Sequence, residues 1–127
     1  YPFPIFDADY LKRMMHENVR YYGIFEDEKL IAASAAEMDP VHLNVEMTDF
    51  ATLPEGRGNS YALSLLLHME KEMKNQKIRT AFTIARAVSF GMNITFAKAR
   101  YSNAGLLKNN TAIAGSLESM NVLFKKL

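Results

Sequence analysis

Two periodicities divide this chain. Between Ala62 and Met73 the apolar residues Ala62, Leu65, Leu66, Met69 and Met73 fall at i, i+3, i+4, i+7 and i+11, the spacing of one helix face. A helix is therefore predicted over about 59–74, closed by Asn75. Elsewhere the period is two. Ile78, Thr80, Phe82 and Ile84 share one side of a predicted strand. Val19 to Phe25 and Leu30 to Glu37 read as antiparallel partners around the polar turn Glu26-Asp27-Glu28-Lys29. Asp39-Pro40 breaks that run, and His42 to Leu53 is the next strand, stopped by Pro54.

The flanks complete the pattern. Pro2 and Pro4 hold the opening YPFPIF extended. Asp7 is placed to cap a helix over about 8–17, with Tyr10, Leu11, Met14 and Met15 as its apolar side and Asn18 as its stop. A further helix is expected over about 88–99, starting at Ser89. Strands Tyr101 to Lys108 and Ser119 to Lys125 follow. They are joined through Asn109-Asn110, which tolerates the positive φ of a tight turn. The order is helix, two or three antiparallel strands, helix, strand, helix, two strands. It predicts an α+β fold: a mixed, mostly antiparallel twisted sheet with helices on both faces.

Composition narrows the function classes. The 127 residues suit one domain with a real core. A net charge of +1, with no basic stripe interleaved with aromatics, gives no case for nucleic acid. Cysteine is absent, which excludes a disulfide framework and a Cys nucleophile and is compatible with a cytoplasmic protein. No apolar run reaches membrane-span length and no signal peptide is visible, so no membrane association is expected. His16, His42 and His68 fall on separate elements without ligand spacing, and no metal site is expected. The eight Met residues mostly fill apolar helix positions.

The turn before the 59–74 helix is the chemically informative stretch. A β-rich run stops at Pro54, and Arg57, Gly58, Asn59 and Ser60 lead straight into the helix. Strand, small-residue turn and helix make an anion site, because the first helical N–H groups point outward where the macrodipole favours negative charge. Asn59 or Ser60 could instead simply cap the helix.

Arg57-Gly58-Asn59-Ser60-Tyr61-Ala62, preceded by Pro54-Glu55, resembles the R/Q-x-x-G-x-G/A signature of the GNAT family of N-acetyltransferases, with Ser60 where the signature has its first glycine. The element order matches as well, less the first strand and part of the first helical region. Further blocks resemble the members of that family that act on β-lysine: Tyr1 to Ile5, Glu46 to Pro54, Thr83 to Ala87, Met92 to Phe96, Leu107 to Thr111 and Glu118 to Val122. The resemblance implies acetyl-CoA as co-substrate and transfer to the ε-amino group of β-lysine or a similar small amine, a step of compatible-solute synthesis. It also implies that residues 1–127 are a single catalytic domain, the C-terminal part of a longer chain, with part of the substrate pocket outside it. A homodimer is open to such a domain. Another diamine or amino acid as acceptor, and a binding module without turnover, are the competing readings.

The resemblance also implies site residues. Phe50, Ala51 and Thr52 at the strand end, Arg57, Gly58, Asn59, Ser60, Tyr61 and Ala62 in the loop, and Ser89 and Asn93 on the last helix would hold the coenzyme. Glu46, six residues ahead of Thr52, stands where relatives carry a general base, although a surface strand carboxylate would look the same. Such a base is required because an aliphatic amine, with a pKa near 10.4, is protonated at neutral pH. Asp49, on the opposite face from Glu46 if the strand is regular, would meet a second substrate ammonium or fix a neighbouring loop. Glu37 and Asp39 are further acidic candidates, with a solvated strand end as the alternative. Arg86 would meet a phosphate or a substrate carboxylate, or form a surface ion pair. Relatives carry a tyrosine where this chain has Phe96, which cannot donate a proton. Tyr101 is the substitute candidate for protonating the leaving thiolate, or it packs. Ser89 reads equally as an N-cap, and Asn93 as part of a polar network.

Overall fold

The structure, a computed structural model, describes residues 8–9, 18–113 and 116–127, with the backbone alone for 107–113 and 116–118. Six strands form one sheet: β1 (Val19–Glu26), β2 (Lys29–Asp39), β3 (Asn44–Thr52), β4 (Thr80–Arg86), β5 (Ser102–Ile113) and β6 (Ser116–Lys126). Their spatial order is β1-β2-β3-β4-β6-β5. Helix α1 (Tyr61–Asn75) joins β3 to β4, and α2 (Phe90–Lys98) joins β4 to β5. Every neighbouring pair is antiparallel except β3–β4, which is parallel. The expected α+β fold with a mixed, mostly antiparallel sheet is what the chain forms. Of the helix expected over 8–17, Ala8 and Asp9 are helical, and the rest, with the YPFPIF stretch, lies outside the described residues.

The first hairpin closes as its charged turn requires. Asp27 and Glu28 both take positive φ, 48° and 68°, the combination of a two-residue turn whose twist matches the strands. α1 then lays Leu65, Leu66, Met69 and Met73 on Ala32, Ala36, Val45, Met47 and Ala81, and Phe96 of α2 joins the same core. Each fully buried large side chain in that layer contributes about 1.5–3 kcal/mol. Among the described residues both helices thus share one face of the sheet, where helices on both faces were expected; most of the helix expected over 8–17 lies outside the described residues. The other face carries Glu37, Glu46 and Phe82 side by side on β2, β3 and β4.

Within β4, Thr80, Phe82 and Ile84 share one side as expected; they are half-buried, and the fully covered side is Ala81 and Thr83. Small residues on the α1 side let the helix approach the sheet. Asn109-Asn110 is not the expected turn. β5 runs on to Ile113, and the pair lies inside a register shift between Leu107 and Thr111. An asparagine pair that tolerates a turn also tolerates the irregular backbone of a bulge.

Candidate active site

β3 and β4 are paired over three rows only: Asn44 with Thr80, Val45 with Ala81 and Glu46 with Phe82. Beyond them β3 runs on to Thr52 and β4 to Arg86 without pairing, so the sheet opens into a fork. Buried Thr83 donates its hydroxyl to the carbonyl of Met47 at 2.8 Å, pinning the crotch. Further along, Phe50 meets Phe96 edge-on with ring centroids 5.7 Å apart, and Phe96 meets Tyr101 at 4.8 Å. On its other side β3 carries a bulge. The β2 register steps from Ala35–Thr48 to Ala33–Ala51, leaving Asp49 and Phe50 opposite Ser34, with Asp49 at φ 57°. An extra residue bends the strand that carries it, here at the level where β3 has left β4. The bulge also means that the strand is not regular at Asp49, so simple alternation does not assign its face.

Both helices start at the mouth of this fork. After β3, Leu53 donates its N–H to Ile31 at 2.8 Å and a 3-10 turn, Pro54–Gly56, follows. Gly56 is obligatory there, since a Cβ would sit 2.3 Å from Ile31 Cγ2. Arg57, Gly58, Asn59 and Ser60 are all exposed. Gly58 has φ 86° with open space around it, and Ser60 has φ 57° and ψ 31°. The bonds of α1 begin with Ser64 N–H to the Ser60 carbonyl at 3.1 Å. The amides of Tyr61, Ala62 and Leu63 therefore have no intrahelical acceptor and face outward at the positive end of the dipole. That is a fitting cradle for a diphosphate. Neither expected cap forms. Asn59 donates its side-chain amide back to the Gly56 carbonyl at 3.1 Å, and Ser60, in a left-handed conformation, makes no side-chain cap bond. Two surface links tie the loop to the first hairpin: Lys29 to Glu55 at 2.6 Å, and the Tyr61 hydroxyl to Glu26.

Glu46 sits on the last paired row, half-buried, on the face opposite the helices. Burial, with the Glu37 carboxylate as a second cause, pushes it up to about 7. Glu37 is its direct cross-strand partner and is exposed. A carboxylate poised near neutrality accepts a proton far more readily than an ordinary one. Asp49 is half-buried, and burial raises it as well.

On the β4 side, Arg86 closes the strand opposite Met120, and Ser89 holds the N-cap position of α2 without a side-chain cap bond. Asn93 is held in a network. It donates to the carbonyls of Arg86 (3.0 Å) and Ser89 (2.8 Å) and accepts from Asn121 at 3.0 Å. These bonds fix the β4–α2 turn, and Asn93, Asn103 and Asn121 with Tyr101 line a cleft of about 390 Å³ between α2 and the β5–β6 strands.

Tyr101 follows a different logic. It is 8% exposed, and burial, then the neighbouring Glu70 carboxylate, raise its hydroxyl far above the ordinary tyrosine range. Beside it Lys125 donates to Glu70 at 2.7 Å and to the Ala99 carbonyl at 2.8 Å, an ion pair locking α1 to β6 beneath α2. A phenol so hard to ionise gives up a proton to a thiolate only uphill.

The structure thus brings the 57–62 loop, Phe50 to Thr52 and Ser89 to the mouth of one fork and Glu46 to its base, and it places Tyr101 in the core. Thr83, Asn121 and the Glu70–Lys125 pair escaped the sequence reading. Glu70 had a signal: it stands four residues after Leu66 and three before Met73, a carboxylate within the apolar stripe. Thr83 and Asn121 had none, since each depends on a partner distant in sequence. Among the described residues no group of three His, Asp or Glu could hold a metal ion, and no helix is long and apolar enough to cross a membrane.

Comparison with known proteins gives the family and the fold. Residues 1–92 match the model of the Acetyltransferase (GNAT) family. The chain is 47% identical over 125 residues to a β-lysine N(6)-acetyltransferase of Methanococcus maripaludis, covering 98% of this chain and 46% of that protein. It is 42% identical over 127 residues to the N-acetyltransferase YodP of Bacillus subtilis, covering 100% and 46%. It therefore spans about half the length of the curated relatives it matches. In fold it is similar to the ribosomal-protein-S18-alanine N-acetyltransferase of Escherichia coli, with a TM-score of 0.83 at 13% identity over 99% of this chain and 79% of that one. The chain belongs to the acetyltransferase (GNAT) family.

Proposed function

We propose that the chain is a single N-acetyltransferase domain that moves the acetyl group of acetyl-CoA to the ε-amino group of β-lysine or a similar small amine. One observation carries the reading: a half-buried carboxylate, Glu46, pushed up to about 7 by burial, stands at the base of a fork whose mouth is a helix N-terminus with outward amides. From Glu46 to Thr52 the extended strand covers about 20 Å, the kind of distance an extended pantetheine arm bridges between diphosphate and thioester. The loop amides and Arg57 would hold the diphosphate, and Phe50, Ala51, Thr52 and Ser89 would flank the arm.

The chemistry follows from the placement. Ionised Glu46 removes one proton from the acceptor ammonium. The freed amine forms a C–N bond to the thioester carbonyl carbon, the C–S bond breaks, and the thiolate departs. The proton still on nitrogen passes to the thiolate or to solvent, so amide, thiol and one released proton balance the equation. A thiol's reference pKa near 8.5 makes the thiolate a tolerable leaving group without an enzymic acid. Asp49 and Arg86 are the residues proposed for the acceptor's remaining charges. The two relatives whose names specify β-lysine, at 47% and 34% identity, support that acceptor. Glu37 beside Glu46 would also suit another diamine.

The test is thiol release from acetyl-CoA with β-lysine, lysine and a diamine panel, using the full-length protein. Release that is fastest with β-lysine is expected. Release with lysine or diamines but not β-lysine would move the acceptor, and coenzyme binding without release would leave a binding module.

A further inference from the structure

The charged groups around Glu46 can be followed strand by strand. Its own row crosses the sheet as Val19, Glu37, Glu46, Phe82 and Phe124 on β1, β2, β3, β4 and β6. The row above holds Asp39, Asn44, Thr80 and Lys126, with Asp39 bonded to His42 Nδ1 at 2.8 Å. The row below holds Tyr21, Ala35 and Thr48. By register, the nearest cation on this face among the described residues is Lys126, two strands away and one row off. The group directly across the ladder is a second carboxylate, Glu37.

Cross-strand partners have Cβ atoms about 4.5–5.5 Å apart, and like charges placed there repel. Glu37 is exposed and keeps its water; Glu46 is half-buried and has less. The repulsion therefore falls on Glu46, and protonating Glu46 is what relieves it. A sheet built only for stability gains nothing from this pair.

We propose that Glu37 is a positioning residue for acetyl transfer: standing across the ladder from Glu46, it makes that carboxylate basic enough to take the acceptor's proton. This rests on the reading of Glu46 as the general base. Among the described residues Glu37 is the one charged group that, after burial itself, raises Glu46. It needs no contact with coenzyme or acceptor to act.

Carboxyl-carbon NMR titration of Glu46 in the full chain, beside the pH dependence of thiol release, tests the role. In Glu37→Gln the Glu46 midpoint is expected to move to lower pH. The acid limb of kcat/KM should move with it, raising kcat/KM several-fold near about pH 6 and leaving the KM for acetyl-CoA unchanged. Glu37→Asp, which restores the charge, should return both toward wild type. An unmoved Glu46 midpoint in Glu37→Gln overturns the proposal, as does a midpoint that moves while the acid limb stays. Failure of the transferase reading itself is seen separately, as wild-type protein that releases no thiol with any amine.

Discussion

Thr83 reaches across the point where β3 and β4 part and donates its hydroxyl to the Met47 carbonyl, 2.8 Å away and buried. The bond stands one row beyond the last paired residues, Glu46 and Phe82. It replaces the ladder hydrogen bonds that stop there, so it sets where the fork begins. Replacing Thr83 with Val keeps the shape and leaves the carbonyl bare, at a cost of about 1–3 kcal/mol. Thr83→Ser, which keeps the hydroxyl, should lose less. Denaturant midpoints at unchanged slope measure both; a larger loss in Thr83→Ser than in Thr83→Val would show that the methyl, and not the bond, matters.

Glu46 makes stability depend on pH with a definite sign. Its folded value, about 7, lies above the ordinary 4.5. Between those values the folded chain binds more protons than the unfolded one, so stability falls as pH rises through that window. Once ionised, the group costs on the order of 1–3 kcal/mol after allowance for solvent screening. Glu46→Gln should therefore melt higher than wild type near pH 8, with the difference gone near pH 4. A difference independent of pH would mean that Glu46 is not strained by its surroundings.

Ser60 occupies a left-handed conformation, φ 57°, that a side chain with a Cβ adopts at a penalty. Glycine has no such penalty. Ser60→Gly is expected to raise stability by about 1 kcal/mol and to leave coenzyme affinity intact, since the amide stays in place. Calorimetric melting and coenzyme titration read the two effects. A destabilised Ser60→Gly would mean that its hydroxyl holds the loop.

The Glu70–Lys125 pair binds α1 to β6 in a nearly closed site, with Glu70 5% exposed. Lys125→Met strands the carboxylate and should cost about 3–5 kcal/mol, whereas removing both charges together, Glu70→Leu with Lys125→Met, should recover most of it. Denaturant unfolding of the two variants decides, and equal losses would locate the stability in packing.

Much of this was legible in the sequence because it is local. The α1 stripe, the hairpin around Asp27-Glu28, the strand stopped by Pro54 and the small-residue turn are written in neighbouring residues. The loop's place at a helix N-terminus and Glu46's place on the preceding strand follow directly. What the sequence could not carry was long-range register. The Asp49 bulge, the face of β4 and the true extent of β5 depend on partners across the sheet, and Asn109-Asn110 suits a turn and a bulge alike. Nor does a sequence show depth. Tyr101 reads as an available hydroxyl until α1, α2 and β6 close over it.

The central claim is that Glu46 takes the acceptor's proton at a thioester held from the Arg57–Ala62 loop. Thiol release from acetyl-CoA with β-lysine, followed across pH in wild type and Glu46→Gln, tests it most directly. The expected result is a wild-type acid limb centred near 7 that Glu46→Gln abolishes. The variant should lose at least about a hundredfold at neutral pH, recover in alkali where the amine deprotonates unaided, and bind coenzyme as before. A Glu46→Gln protein with the wild-type profile would contradict the account.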